Sequence, residues 1–306
     1  RCDRGFALVL VLIIASVVIL IVAAIMPQAV RQARMAERHA DSIRAFYAAE
    51  SGVNMVRADL DDDDAINSTS VGVWQTLASS DGSETISYYK IDSIDTTSPY
   101  FPEVISAGSS PSSDSADVKR YIKAQLSKAI TYNPSLVTNI IETTGSLSIG
   151  GSATVTGDYT SSSTFSFADI FGISMADMKS NLANVVIDPE TNFSPVSGIT
   201  WFELDDNIRV QISEKAWVGS GIMIVEGDLK LSGGTFDGII WVTGNCDMDI
   251  AGNAKINGAI FVEGSANITG DAALSYDQDA VDDSLDDAFN LDPIAYWKEI
   301  YPSEVP

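Results

Sequence analysis

Residues 6–26 form a run of 21 without a charge, set directly after Arg4-Gly5, and no other feature limits this chain as tightly. At ~1.5 Å rise per residue a helix of that length covers about 32 Å, the hydrocarbon thickness of a bilayer. Its one hydroxyl, Ser16, can bond back to its own helix, so lipid exposure leaves nothing polar unsatisfied. Residues 28–60 are dense in Ala, Arg and Glu and hold no glycine before Gly52, so the helix is expected to continue past the apolar run. Pro27 removes one backbone hydrogen bond where the helix would leave the membrane, which allows a kink there.

Charge separates the two ends of the chain. Residues 1–57 carry net +3, which leaves −27 of the whole-chain −24 for residues 58–306. So acidic a domain repels nucleic acid and anionic membrane surfaces, which argues against a nucleic-acid function, and no nucleic-acid partner is expected. Arg31, Arg34 and Arg38 lie at helical spacing just beyond the apolar run. By the positive-inside rule they favour a cytoplasmic position for that side of the span, but the export-type character of the acidic part outweighs them. Two cysteines exclude a disulfide framework: Cys2 precedes the apolar run, and Cys246 falls in a column of the repeat described below, as a buried inert thiol.

The expected fold is α+β and mainly β: a long N-terminal helix, a small antiparallel sheet, then a C-terminal parallel β-solenoid. The carboxylates of residues 59–64 read as a solvated turn. A calcium loop needs a glycine turn and a closing glutamate, yet no glycine precedes Gly72 and the twelfth position from Asp59 is Ser70. Strands are expected at 85–92, 103–107 and 117–127. In the last, Val118, Arg120, Ile122, Ala124 and Leu126 face one way and the intervening residues the other. Further on, Gly221-Ile-Met-Ile-Val-Glu-Gly227, Gly238-Ile-Ile-Trp-Val-Thr-Gly244 and Gly258-Ala-Ile-Phe-Val-Glu-Gly264 align without a gap, 17 and then 20 residues apart. Each is followed by a second short strand, at 228–232, 246–250 and 266–269, and two by a third, with Ala254 and Ile256 and with Ala272 and Leu274. Short strands at a near-fixed period, punctuated by Gly and Asn, imply stacked coils about 4.8 Å apart. Residues 145–157 have the same character and are expected to supply an earlier coil. Residues 161–217 would then be an excursion with a short helix capped by Ser174, carrying Met178 and Leu182 on one side.

Parallel β-helices include polysaccharide lyases and hydrolases, which use clustered carboxylates beside a cation. Asp247 and Asp249 share a strand face, but residues 221–276 hold only Lys230 and Lys255 as cations, and the sole histidine is His39 on the proximal helix. No catalytic residue, metal site or cofactor is expected. A polysaccharide-acting enzyme and a membrane-anchored surface adhesin are the alternatives to a structural role. The acceptor-like triplets at Asn67, Asn192 and Asn267 are short enough to recur by chance.

Arg4-Gly5-Phe6, with Pro27 as the twenty-second residue from Phe6, resembles the processing junction and proximal helix of type IV pilins. Ala45-Phe-Tyr-Ala-Ala-Glu50-Ser-Gly52 resembles the Ala-Ala-Glu-x-Gly signature of PilX-type minor pilins, as do the coils at 221–233, the Phe167–Gly172 segment and the aromatic ending at Trp297. Major pilins usually carry Glu where this chain has Leu10, a departure shared with PilX-type proteins and the K-type pseudopilin of type II secretion. The resemblance implies a minor pilin or pseudopilin of a type IV pilus or related secretion filament. A prepilin peptidase would cut after Gly5, making Phe6 the new N-terminus. Leu10, Pro27 and Glu50 would shape how the helix packs with other pilins. The implied setting is the inner membrane, spanned by residues 6–26 with a periplasmic ectodomain, then the pilus or cell surface, with an assembly platform as a further partner. The domains so implied are a leader remnant at 1–5, a helix at 6–60, a pilin-like sheet region at 61–137, a solenoid at 138–277 with its excursion at 158–217, and an acidic, aromatic tail at 278–306. If Met223/Val225, Ile240/Val242 and Ile260/Val262 point into the coil, Ile224, Trp241 and Phe261 form an apolar strip outside it. That strip is either covered by the excursion or offered to another minor pilin as a docking surface.

Overall fold

The structure, a computed structural model, describes residues 3–61, 71–78, 85–110, 118–195, 197–204, 209–243, 248–291 and 294–305. Cys246, Asp247, Asn67 and residues 62–64 of the acidic turn lie outside the described residues. The chain divides into two compact units, one of residues 1–97, 102–126 and 294–306, the other of residues 98–101 and 127–293.

The first unit is built on α1 (Asp3–Asp61), which continues through Pro27. Residues 11–38 are exposed along their whole length, and burial sets in only from Ala45 onward. There α1 lies on an antiparallel sheet of β1 (Gln75–Ala78), β2 (Thr85–Asp95), β3 (Glu103–Ser110) and β4 (Val118–Leu126), paired in sequence order. Val53, Val56 and Leu60 of the helix meet Ile91, Val104, Ile122 and Leu126 of the sheet. In β4 the buried residues are Ile122, Ala124 and Leu126, the face that alternation marks as apolar.

In the second unit the chain first makes β5 (Ile141–Thr143), β6 (Leu147–Ile149), β7 (Thr154–Thr156) and β8 (Tyr159–Thr160). Two short helices follow, α2 (Phe167–Phe171) and α3 (Met175–Asn181), capped by the Ser166 and Ser174 hydroxyls, which accept from the Asp169 and Asp177 amides. Then come β9 (Asn184–Ile187), β10 (Ile199–Glu203) and β11 (Arg209–Ile212), and the regular coils: β12 (Val218–Glu226) with β13 (Asp228–Leu231), β14 (Thr235–Val242) with β15 (Met248–Ile250), β16 (Lys255–Val262) with β17 (Ala266–Ile268), and β18 (Ala273–Ser275). All their pairings are parallel. The long strands bend midway at Gly221, Gly238 and Gly258, which stand in register at φ of 93°, 134° and 135°. A Cβ on Gly238 would lie 2.2 Å from the Gly221 carbonyl oxygen, and one on Gly258 2.0 Å from that of Gly238. Only glycine accepts both the conformation and the contact.

Two expectations about the solenoid need correction. Residues 184–212 are coils of the stack rather than part of an excursion, since β9 pairs with β10, β10 with β12, and β11 with β13. Phe202, Val210 and Ile212, with Val186 packed on them, fill the inside of these coils without a motif bounded by glycine at both ends, which marks the later repeats. The coil at residues 141–157 comes first in sequence but stacks last. Its β5, β6 and β7 pair with β16, β17 and β18. The layer beyond β16 and β17 is therefore stitched from β18 and, more than a hundred residues earlier, β5 and β6.

The expected tail at 278–306 is also ordered. It contains α4 (Gln278–Phe289), whose N-cap Asp277 accepts from the Asp279 and Ala280 amides, and β19 (Ile294–Ile300). In α4, Val281, Leu285 and Ala288 return every three or four residues to a buried face against β12, β14 and β16. β19 belongs to the first unit, where it pairs antiparallel with β4 and places Ile294 opposite Leu126. The solenoid is thus an insertion in a hairpin whose two strands are neighbours. Replacing residues 127–293 by a two-residue Asn-Gly turn, the loop that suits such a pair, is expected to leave α1 and the five-stranded sheet folded. Protease resistance of residues 40–126 in the shortened chain checks this, and rapid digestion would refute it.

Candidate assembly interface

The helix–sheet contact in the first unit is set by small residues. Ala45, Ala48 and Ala49 are fully buried. A Cβ on Gly108 of β3 would lie 1.8 Å from the Ala45 carbonyl oxygen, and one on Gly52 would lie 2.2 Å from the Ser106 hydroxyl. The Ala-Ala-Glu-Ser-Gly stretch therefore brings the helix backbone onto the sheet, and Glu50 faces outward from it. Glu50 lines a small groove with Phe46, Val53, Ile122, Ile294 and Trp297. Gly108, the partner that makes the close approach possible, is invisible to motif reading because its role depends on tertiary contact.

A polar clasp marks where α1 leaves the sheet. Arg120 of β4 donates to the Ser42 hydroxyl at 2.6 and 3.0 Å and to Glu299 of β19 at 2.7 Å. The Ser110 hydroxyl donates to Asp41 at 3.2 Å. N-terminal to this clasp the described residues leave the helix uncovered from residue 11: Leu12, Ile19 and Leu20 are each more than 60% exposed. Gly5, Phe6 and Leu10 fall within α1, and the helix is long and apolar enough to cross a membrane.

The sequence of the same segment has relatives among known proteins. Residues 4–54 match the family model described as PilX N-terminal. Over these residues the chain is similar to PilX-type helices. It is accordingly minor-pilin-like over the segment that holds both the exposed apolar helix and the small-residue contact with the sheet. No curated protein matches the chain. Among solved structures, the competence-associated pilin ComZ from Thermus thermophilus aligns over 85% of this chain and 97% of its own, at 8% identity and a TM-score of 0.24, too low to carry an argument.

In the second unit the strip of Ile224, Trp241 and Phe261 is in register as expected, but it is not a free docking surface. The three side chains are at most 1% exposed. The Trp241 ring stacks on Phe261 at 5.0 Å and meets Phe165, Phe167 and Phe171 edge-on at 5.0–5.7 Å. Phe289 of α4 and Met178 of α3 complete this outer core. Met223, Val225, Ile240, Val242, Ile260 and Val262 fill a separate core inside the coils, so the strands are apolar on both faces and covered on both. The next residue in the outer column is Glu142, buried and accepting from Asn139 and Ser163 at 2.9 Å each. On the third side of the coils Asp249 stands in register with Lys230 and Asn267, at the surface of the stack. Among the described residues no cluster of His, Cys, Asp and Glu could hold a metal ion.

Because Trp241 is enclosed, Trp241→Ala is expected to cost about 3–5 kcal/mol, as large aromatic deletions from cores do. A urea titration of the full chain in detergent measures it, and a near-normal midpoint would instead return the strip to the surface.

Lys179 of α3 ties the helix to the ends of two coils. Its ammonium donates to Glu226 at 2.6 Å, reaches Glu203 at 3.0 Å, and lies 5.5 Å over the Trp201 ring. The Trp201 indole N–H also donates to Glu226, at 2.9 Å. Partial burial pushes the Glu226 carboxyl up, but the hydrogen bonds from Lys179 and Trp201 and the lysine charge outweigh it and hold it below the usual value. Partial burial lowers Lys179, and its two carboxylate partners reverse this to a net rise. A depressed carboxyl stabilises the fold above its unfolded value of 4.5, and that contribution is lost as the pH falls through the lower folded value. The raised lysine contributes below 10.5 and loses its effect only as the pH climbs past it. Both partners are partly exposed, so the effect should stay within about 1 kcal/mol. Lys179→Met is expected to flatten the loss of stability below pH 4.5, read from urea midpoints across that range. An unchanged slope would mean that the pair contributes nothing.

Proposed function

We propose that this chain is a minor pilin or pseudopilin, a structural and assembly component of a type IV pilus or related secretion filament. The single observation that carries this reading is the exposed apolar half of α1, continuous with a half that is locked onto the sheet, in a segment that matches PilX N-terminal sequences. An apolar helix left bare by its own domain needs lipid or other apolar helices around it. A pilin uses the two in turn. Before assembly residues 6–26 hold the chain in the inner membrane with the acidic units in the periplasm, and on extraction into a fibre the same residues pack against other pilins.

In this reading a prepilin peptidase cleaves after Gly5 and Phe6 becomes the mature N-terminus. Leu10 leaves the helix without the carboxylate that major pilins carry there, which suits a scarce subunit that does not polymerise alone. Pro27 adjusts the helix at the membrane boundary. Glu50, exposed beside Trp297 and Phe46, is available to a neighbouring subunit. The role in this reading is structural rather than catalytic; among the described residues Asp249 lies beside Asn267, whose amide donates to it at 3.4 Å. The assembly platform and the peptidase are the partners this role requires.

Processing provides the test. Gly5→Leu is expected to leave full-length precursor in the membrane fraction and none in sheared fibres, read by the mass and N-terminal sequence of the membrane-bound protein. A native mature N-terminus anywhere other than Phe6 overturns the assignment of the junction.

A further inference from the structure

The two ends of the solenoid are finished differently. The clearest comparison is one inward-facing column on a single side of the stack: Ile212, Leu231, Ile250, Ile268 and Ile149, joined by register from β11 through β13, β15 and β17 to β6. At one terminus Ile212 is completely buried, and the three middle residues are at most 2% exposed. At the other, Ile149 is 37% exposed although it occupies the same inward position.

The difference lies in what covers each terminus. Beyond β11 the segment at 188–193 folds across the edge. The Asn192 amide donates to the Gln211 carbonyl, the Asn192 side chain accepts from the Ser213 and Glu214 amides, and Phe193 packs on the interior core and edge-on against Phe202. Asp188, Pro189 and Glu190 add the charge and the missing donor that discourage strand addition. Beyond β6 and β7 no described strand follows, and both end their sheets. From residue 143 to 157 there is no charge and no proline, in a chain of net −24. Ser146, Ser148, Ser152, Thr154 and Thr156 along this edge are exposed, with Asp158 and Asp271 at its rim.

A solenoid terminus normally needs a polar cap, because each coil buries its apolar side only against a neighbour. An uncapped edge of this kind accepts another strand. We propose that the β6 edge is a self-association surface, taking the β6 edge of a second copy of this chain in an antiparallel pair. A second copy is the occupant that the charge pattern selects. Two chains this acidic repel over most of their surface, and the neutral end coil is where they can come together. Pairing about a two-fold axis at Ser148 sets Leu147 of each copy opposite Ile149 of the other. Both are inward-facing, so each copy continues the core column that the other leaves open.

The test uses the full chain in detergent, with Cys2 and Cys246 changed to Ser. Residues facing each other across an antiparallel pair have Cα atoms about 4.5–5.5 Å apart, within disulfide range. Ser148→Cys should therefore give a band of twice the chain mass on mild oxidation. Gln211→Cys, in the same outward column at the covered end, should not, which separates the edge from association through α1. Adding Ile149→Lys to Ser148→Cys should abolish the doubled band while the far-UV spectrum is retained. No dimer from the Ser148→Cys chain, equal dimer from both ends, or a band that survives Ile149→Lys overturns the proposal. So does a cross-link in cells that joins the Ser148→Cys chain to a different polypeptide in place of a second copy.

Discussion

The corner that the backbone turns at Gly221, Gly238 and Gly258 is the constraint on which the solenoid rests. Each glycine sits directly against the carbonyl of the coil before it, so a side chain at any of these corners would push two coils apart. With the corners aligned, the strands on either side fall into register for their whole length, and two apolar columns form back to back. One fills the inside of the coils. The other, centred on Trp241, would face water unless something were laid over it. The architecture of the second unit follows from that need, as α2, α3 and α4 are the elements that cover the outer column.

The features legible in the sequence are those encoded locally. The apolar run of residues 6–26, the helix beyond it, the alternation in β4, the glycine-bounded repeat and the Ser174 cap all depend on residues within a turn or a strand of one another. The inside and outside parity of the repeat was also readable, because a strand's two-residue period fixes it once one face is assigned. The sequence singled out the Ala45–Gly52 stretch as a motif, but its contact with the sheet, through Gly108, Arg120 and Ser110 near it, depends on residues from elsewhere in the chain.

Features set by distant pairing were not legible. Residues 145–157 read as an earlier coil because they come earlier in sequence, yet their place is decided by whether β17 and β18 present a free edge, which local patterns do not record. α4 was hidden by its acidity: seven carboxylates between Asp277 and Asp292 look like a solvated tail unless the spacing of Val281, Leu285 and Ala288 is followed. β19 offers Tyr296, Trp297 and Lys298 where an apolar alternation would have marked a strand. It is an edge strand with one neighbour, so most of its side chains remain exposed and no burial pattern is imposed on them.

The insertion of the solenoid between β4 and β19 has a mechanical consequence. The chain leaves the sheet after Leu126 and returns at Ile294, two residues that face each other across one ladder. A pull transmitted along α1 reaches the sheet through the close helix contact at Gly108 and is carried by the hydrogen bonds among β2, β3, β4 and β19. To stretch the solenoid, the same pull would first have to separate the two strands that hold its ends side by side. In the proposed filament role, the tension carried by the helix and its sheet would not pass along the inserted chain while β4 and β19 stay paired.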